Sequence, residues 1–483
     1  MHCQTLRVNS TTVRTPWEPL MRAVLPLAGG ATFLAMLDTS VTNLAIPDLH
    51  HDFTGPAVAD LTWVITAYAV LFAAVLTPAG RLADVVGRRR LYVTGVGLFT
   101  LMSLACALAP NLETLVAARA VQGAGAAAMI PASLALLLHG VPAARRTAAV
   151  GLWSAAGALA AAIGPGVGGL LVDVFGWRSV FLVNLPLGVA MVAAARLLPA
   201  GEAGGGPRPD LLGTVLLAAG IGGVVLGVTE GDSWHWTSAR TLASLLGGVA
   251  VTGYALARST RHPAPAVETS LWRSRGFAVA NVASLLYGAT LYAWLLIGVL
   301  FLTEVWRYSE LKAGLAMSPG AFTAAASAVA GGRLIGRFGP RPVVTGGAAT
   351  ILACGLCIIV SLRYPGWVTE PHFLIWWLPV GLVLGVGMGL VTTGTAAAAA
   401  LSAPPTRFAG ATGLNTAARQ VGGAFGIAAL ALVQRTETGL DAFTGVYAFC
   451  AVAVGLCGLV GLGLAARPAP QPAAVSPAPA AAR

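Results

Sequence analysis

The sequence predicts an all-α polytopic membrane protein with fourteen transmembrane helices, arranged as two pseudo-symmetric six-helix bundles with an inserted pair of spans between them. Three observations predict it. The chain is starved of charge, its apolar runs are about as long as a bilayer is thick, and one charged loop pattern appears twice at an eight-span offset.

The 483 residues are 57% hydrophobic and only 10% charged. Soluble domains carry roughly 25% charged residues, so this chain cannot cover a water-facing surface. The 60 glycines suit helices that pack backbone to backbone in lipid. A membrane barrel needs alternating strands of about ten residues, and the apolar runs here do not alternate. A net charge of +11 would suggest a nucleic-acid ligand in a soluble protein. Its distribution along this chain gives a different reading, and no nucleic-acid partner is expected.

Spans are predicted near 21–46, 58–79, 91–109, 112–138, 147–172, 179–198, 211–229, 240–257, 276–300, 311–332, 343–362, 374–400, 409–433 and 443–465. This divides the chain into an arm (1–20), a first bundle (21–198), an inserted region (199–275), a second bundle (276–465) and a Pro/Ala-rich tail (466–483) read as disordered. The first apolar run is span-length rather than a short leader segment, so no cleaved signal peptide is expected. With the N-terminus in the cytoplasm, 21 of the 29 basic residues fall in inside loops and tails. Six fall outside, and Arg119 and Arg419 fall within spans. That bias predicts a bacterial inner-membrane protein with both termini cytoplasmic and an even number of spans.

The repeat is Gly80-Arg81-Leu82-Ala83-Asp84-Val85-Val86-Gly87-Arg88-Arg89. It recurs as Gly332-Arg333-Leu334-Ile335-Gly336-Arg337-Phe338-Gly339-Pro340-Arg341. The copies link spans 2 and 3 and spans 10 and 11, so two six-span halves flank spans 7 and 8. Repeated bundles that rock about a midplane site are transporter architecture. The second copy has Gly336 where the first has Asp84.

A P-loop requires a Gly-Lys-Ser/Thr run. The only lysine is Lys312, between Leu311 and Ala313, so an ion gradient is the expected energy source. No metal motif occurs, no cofactor is expected, and the chain is not read as an enzyme. Cys354 and Cys357 lie mid-span and are read as packing residues.

Charges inside lipid are costly and mark function. Asp38 lies in span 1, Arg119 in span 4 and Arg419 in span 13, next to Gln420. Burial raises a carboxylate's pKa and a nearby guanidinium lowers it, so Asp38 with Arg119 can bind and release a proton. The alternative is a purely structural ion pair, and for Arg419 a helix brace. Spacing of four puts Thr42 on the Asp38 face and Asn43 on the Thr39 face. Gln122 and Gly123 share a turn with Arg119. Trp63, Tyr68, Tyr287, Tyr292 and Trp294 are candidate aromatic lining, against an interfacial or packing role. The substrate cavity is thus expected to involve Thr42, Asn43, Trp63, Tyr68, Gln122, Tyr287, Tyr292 and Arg419. Asp48, His50, His51 and Asp52 cluster after span 1 and are read as a solvated loop rather than a metal site.

Taken together, residues 20–465 resemble the fourteen-span drug:proton antiporters of the major facilitator superfamily. Residues 80–91 look like that superfamily's loop motif. The resemblance implies a cytoplasmic latch, with Asp84 and Arg88 tying the halves and Gly80, Gly87 and Arg89 in the same motif. Residues 119–123 look like its span-4 motif, whose arginine is tied to proton coupling. Gly164-Pro165-Gly166-Val167-Gly168-Gly169 looks like the antiporter signature of span 5, where Gly164, Pro165, Gly168 and Gly169 permit close approach and a kink. Residues 37–47 resemble the span-1 motif with Asp38 at its acidic position, although Ser40 and Thr42 stand where the family is usually apolar. Trp177, Arg178, residues 181–188 and residues 415–423 also match. In style the chain is similar to actinomycete antibiotic exporters of the methylenomycin-resistance kind.

The resemblance implies a monomeric proton-coupled antiporter that exports drugs, antibiotics or other small amphipathic molecules. A proton symporter importing a metabolite is the alternative on the same fold, and the 164–169 signature argues against it. A sensor or scaffold would not require the Asp38 and Arg119 pair.

Overall fold

The computed structural model of the protein describes residues 18–53, 61–198, 210–231, 233–437 and 439–466. The arm up to residue 17, residues 199–209 of the inserted region and the tail from 467 onward lie outside these. The described residues are helical, with no strand among them. Among the described residues, fourteen helices are long and apolar enough to cross a membrane: α1 (Ala23–Asn43), α2 (Trp63–Val86), α3 (Arg88–Ala107), α4 (Leu112–Gly140), α5 (Ala143–Phe175), α6 (Ser179–Leu197), α7 (Leu211–Thr229), α8 (Ala239–Arg261), α9 (Arg275–Val305), α10 (Leu311–Phe338), α11 (Pro340–Leu362), α12 (Phe373–Leu401), α13 (Pro405–Gln434) and α14 (Gly439–Gly461). The chain is therefore a multi-pass membrane protein.

Local chemistry sets several boundaries. Gly87 (φ 112°) ends α2 and Gly339 (φ 83°) ends α10, so both copies of the repeated pattern turn on a glycine in a region that side chains avoid. The Asn111 side chain accepts the Thr114 N–H at 2.9 Å and caps α4. Ser238, Ser274 and Ser309 cap α8, α9 and α10 in the same way. The first predicted span runs too far. Its helix stops at Asn43, and a separate short helix, Ile46–Asp52, follows. Proline at position 47, in that short helix's first turn, suits a helix start. The region read as a solvated loop is thus a helix, and it is tied down. Asp48 accepts the Trp177 N–H at 2.9 Å, while Asp52 accepts from the Trp177 indole at 2.8 Å and from Arg178 at 2.7 Å. The indole and then the guanidinium hold the Asp52 carboxyl below the usual carboxylate range.

Helices α1–α6 pack on one another, as do α9–α14. The bundles meet along two seams, α5 against α10 and α2 against α13. The inserted α7 and α8 pair with each other, and α7 lies against α2 and α13, with Val225 beside Val70 and Ala73. We call the face that carries the α2–α3 and α10–α11 turns the basic face. An apolar cluster seals it across both bundles, with Leu134, Leu138 and Ala149 packed with Ile335, Ala397 and Phe408.

The seams repeat each other. A Cβ added to Gly80 would lie 2.5 Å from the Ala409 carbonyl oxygen and 3.1 Å from the Gly410 Cα. A Cβ added to Gly332 would lie 2.5 Å from the Thr147 carbonyl oxygen and 3.0 Å from the Ala148 Cα. Each copy of the pattern presses its leading glycine onto the first turn of a helix in the other bundle.

Candidate functional site

A buried polar cluster is built from five helices of the first bundle. Asp38 (0% exposed) projects from α1 and Arg119 (1% exposed) from α4. Their side chains meet at 2.6 Å. The second Asp38 oxygen accepts from Gln122 at 3.1 Å and from Asn184 of α6 at 2.8 Å. Asn184 also donates to Ser103 of α3 at 3.0 Å, and Ser103 donates to the Phe181 carbonyl at 2.9 Å. Arg119 reaches further, to the Gln122 amide oxygen at 2.8 Å and the Val64 carbonyl of α2 at 3.0 Å. Its guanidinium lies 4.2 Å from the Tyr68 ring centroid on α2. A buried ion pair is tolerated only when its remaining lone pairs and protons are satisfied. The carboxamides, the backbone carbonyl and the aromatic ring do that here.

Asn184 and Ser103 were not singled out from the sequence. Both sit in apolar spans and carry no charge, and the signals for Asn184 were its carboxamide inside a hydrophobic run and its place in the matching stretch 181–188.

The expected cavity residues do not form one lining. Thr42 is buried and spends its hydroxyl on the Asp38 carbonyl at 2.7 Å. Asn43 is exposed at the end of α1, and Trp63 is half-buried at the start of α2. Gln122 belongs to the Asp38 cage. Tyr287 is buried in the second bundle and donates to the Met388 carbonyl at 3.0 Å, with Thr392 at 2.8 Å. Trp294 packs edge-on against Tyr447. Three residues remain near the meeting of the bundles. Tyr68 is within electrostatic reach of Tyr292. Tyr292 donates to Gln420 and is within electrostatic reach of Arg419. Arg419 is half-buried at the middle of α13.

On the basic face, Asp84 accepts the backbone N–H groups of Gly410 at 2.8 Å and Ala409 at 3.4 Å. Arg88 donates to Asp84 at 3.3 Å and to the Pro405 carbonyl at 2.7 Å, and lies 2.8 Å from His139 Nδ1. Arg89 has no ion pair among the described residues. Glu268, from the segment after α8, bridges Arg81 at 3.3 Å and Arg407 at 3.2 Å.

Helix α5 lies between α1 and α10. A Cβ at Gly164 would collide with Ser40, and one at Gly168 would lie 2.9 Å from Leu44 Cδ1. Gly169 and Pro165 face α10, where a Cβ at Gly314 would lie 2.6 Å from Pro165 Cβ. Ser318 of α10 donates to the Ala162 carbonyl at 2.8 Å. No group of metal-binding side chains is found among the described residues.

Comparison with known proteins gives this geometry a lineage. The family description "Major Facilitator Superfamily" matches residues 28–427 and 279–483. A methylenomycin A resistance protein of Streptomyces coelicolor is 34% identical over 89% of this chain and 88% of its own. A cephamycin export protein of Amycolatopsis lactamdurans is 34% identical over 92% of this chain and 93% of its own. Among solved structures, the human organic anion transporter MFSD10 (TETRAN) superposes with a TM-score of 0.62 at 14% identity, covering 93% of this chain and 100% of that one, a likeness of fold. The chain belongs to the major facilitator superfamily.

Proposed function

We propose that the protein is a bacterial inner-membrane antiporter that exports small organic molecules, antibiotics among them, in exchange for protons. The buried Asp38–Arg119 pair is the observation that carries this reading. It is an ionisable pair enclosed at membrane depth, and intramembrane ionisable groups mark proton and substrate paths. The names of the relatives, resistance to methylenomycin A and export of cephamycin, support the substrate class. The basic face is the cytoplasmic face, and both termini lie there.

The pair is coupled to α2, and α2 is coupled to the other bundle. A proton on Asp38 removes the charge that holds Arg119. The guanidinium then rests on its other contacts, the Gln122 amide oxygen on its own helix and the Val64 carbonyl and Tyr68 ring on α2. The same helix carries Gly80 and Asp84 at its far end, pressed onto the start of α13. Proton occupancy therefore acts on the helix that closes the basic face. Helix α5, held between α1 and α10 by Gly164, Pro165 and Gly168, is the second surface on which the bundles rock.

The test is expression in an efflux-deficient bacterial host, with uptake measured for a panel of antibiotics and dyes. Expression is expected to lower accumulation of some panel members, and a protonophore to abolish the effect. Accumulation unchanged across the panel would refute export. Export that persists when the proton gradient is collapsed would refute coupling.

A further inference from the structure

We propose that Arg419, Gln420 and Tyr68 form an anion-binding site where the bundles meet, and that the exported solutes include organic acids, a carboxylate on an apolar or aromatic body. This rests on the export reading above and names its substrate class.

The two arginines inside the spans are in opposite states. Arg119 is neutralised by Asp38, and its guanidinium also donates to the Gln122 amide oxygen at 2.8 Å and the Val64 carbonyl at 3.0 Å. Among the described residues, no carboxylate and no hydrogen-bond acceptor reaches the Arg419 guanidinium. Asp38 cannot serve it, because Arg119, Gln122 and Asn184 already occupy that carboxylate. Arg419 nevertheless stands at the middle of α13, with its backbone carbonyl packed on Gly288 of α9 and its charge near the Tyr287 and Tyr292 phenols. An uncompensated guanidinium at that depth is costly, and a bidentate anion is the partner its planar fork matches.

A second observation points to the same place. The Tyr68 hydroxyl is buried beside the Thr39 hydroxyl, which donates to the Ala35 carbonyl at 2.9 Å, and it makes no hydrogen bond of ordinary geometry. Burying a polar group without a partner is unfavourable, and this one belongs to a ring within electrostatic reach of Tyr292. Tyr292 spends its own hydroxyl on the Gln420 amide oxygen, which leaves the Gln420 amide nitrogen as a donor. The unspent groups around Tyr292 are therefore a guanidinium, an amide N–H₂ and a phenol O–H. All three can donate, and no carboxylate lies among them. A cationic solute would meet the Arg419 charge, and the carboxylate near Tyr68, Asp38, is already paired with Arg119. An acid would find a charge-assisted fork, with the Tyr68 and Tyr292 rings for its apolar body.

The test uses full-length protein in an uncharged detergent and three probes sharing one body: 1-pyrenebutyrate, 1-pyrenebutanol and 1-pyrenebutylamine. Binding is read by energy transfer from protein tryptophans. Wild type is expected to bind the acid about tenfold tighter than the alcohol. Arg419→Gln is expected to remove that preference by lowering acid affinity to that of the alcohol, and a cooperative melting transition reports that the variant is folded. Arg419→Lys should keep part of it. Equal affinity for acid and alcohol in wild type would overturn the site without any variant, as would a preference that survives in Arg419→Gln. Displacement of the acid by phosphatidylglycerol would reassign the site to a lipid headgroup and overturn the solute reading. The same probes in the efflux assay separate the two claims. Export of the alcohol or amine but not the acid would sink the anion site and leave the exporter standing. Arg419-dependent acid binding with nothing exported would do the reverse.

Discussion

The Asp84 carboxylate accepts the backbone N–H of Gly410 at 2.8 Å, so a side chain of one bundle caps the first turn of a helix in the other. The opening N–H groups of a helix lack partners within it and carry a partial positive charge. Asp84 supplies both the hydrogen-bond acceptor and the opposite charge, and Arg88 ties the same corner to Pro405. Separating the bundles at the basic face must break these bonds.

Asp84→Asn and Arg88→Ala should therefore shift the protein away from the closed basic face without expelling it from the membrane. Hydrogen bonds to charged groups contribute roughly 1.5–3 kcal/mol, which corresponds to a change of about tenfold or more in the open-to-closed ratio. In a cysteine-free background, Thr77→Cys reports that ratio, since Thr77 is buried on α2 near this seam. Faster labelling with slower transport is expected. Wild-type labelling and transport in both variants would refute the latch.

The second copy of the pattern makes the same backbone contact without the acid. Gly332 touches Thr147 as Gly80 touches Ala409, but Gly336 stands where Asp84 would be. A Cβ on Gly336 would lie 3.0 Å from the Thr147 hydroxyl, which can rotate away. Gly336→Asp should thus install a second cap, at the start of α5, worth about 1 kcal/mol. It should raise the melting temperature and slow transport. A variant with unchanged melting and turnover would show that the acid cannot reach the helix start.

The inserted region closes the same seam from below. Glu268 holds Arg81 of the first bundle and Arg407 of the second, and Arg81 also donates to the Pro265 carbonyl at 3.4 Å. Each pair is partly exposed and contributes about 0–1 kcal/mol, so Glu268→Gln should speed Thr77→Cys labelling only a few-fold and leave folding intact. Arg81→Ala should have a similar effect, and the double variant should add little to either single one. Full additivity would mean that Glu268 and Arg81 do not act together.

The positions of Asp38, Arg119, Asp84 and Arg88 were legible because charge inside or beside an apolar run stands out, and the spans because lipid imposes length. What the sequence hid was set by distant partners and helix ends. Spacing of four put Asn43 on the Thr39 face, but the helix stops at Asn43 and exposes it. Tyr287 was expected as cavity lining, but no pattern in the sequence pointed to the bond its hydroxyl makes to the Met388 carbonyl, 101 residues away. Asn184 carried no charge to betray it, yet it completes the Asp38 cage. No periodicity reports which hydroxyl or amide a fold will consume.

Asp38 is where a structural ion pair and a proton carrier make different predictions. Asp38→Asn keeps the shape and removes the titration, but it also strands Arg119 in a site that is fully buried. Breaking a buried pair from one side costs roughly 3–5 kcal/mol, chiefly because the other charge is left uncompensated. The single variant should therefore melt earlier, and loss of transport alone would not identify the cause. Arg119→Gln in the same chain removes the stranded charge, so the double variant should recover most of the lost stability. If the pair were only structural, recovered stability would bring back uphill, substrate-dependent proton movement in proteoliposomes. If Asp38 carries the proton, the double variant should be stable, should still bind substrate, and should move no protons with it. Asp38→Glu keeps a titratable group within the same set of donors and should retain part of the activity with a shifted pH profile. A double variant that pumps substrate uphill at near wild-type rate would remove Asp38 from the coupling path.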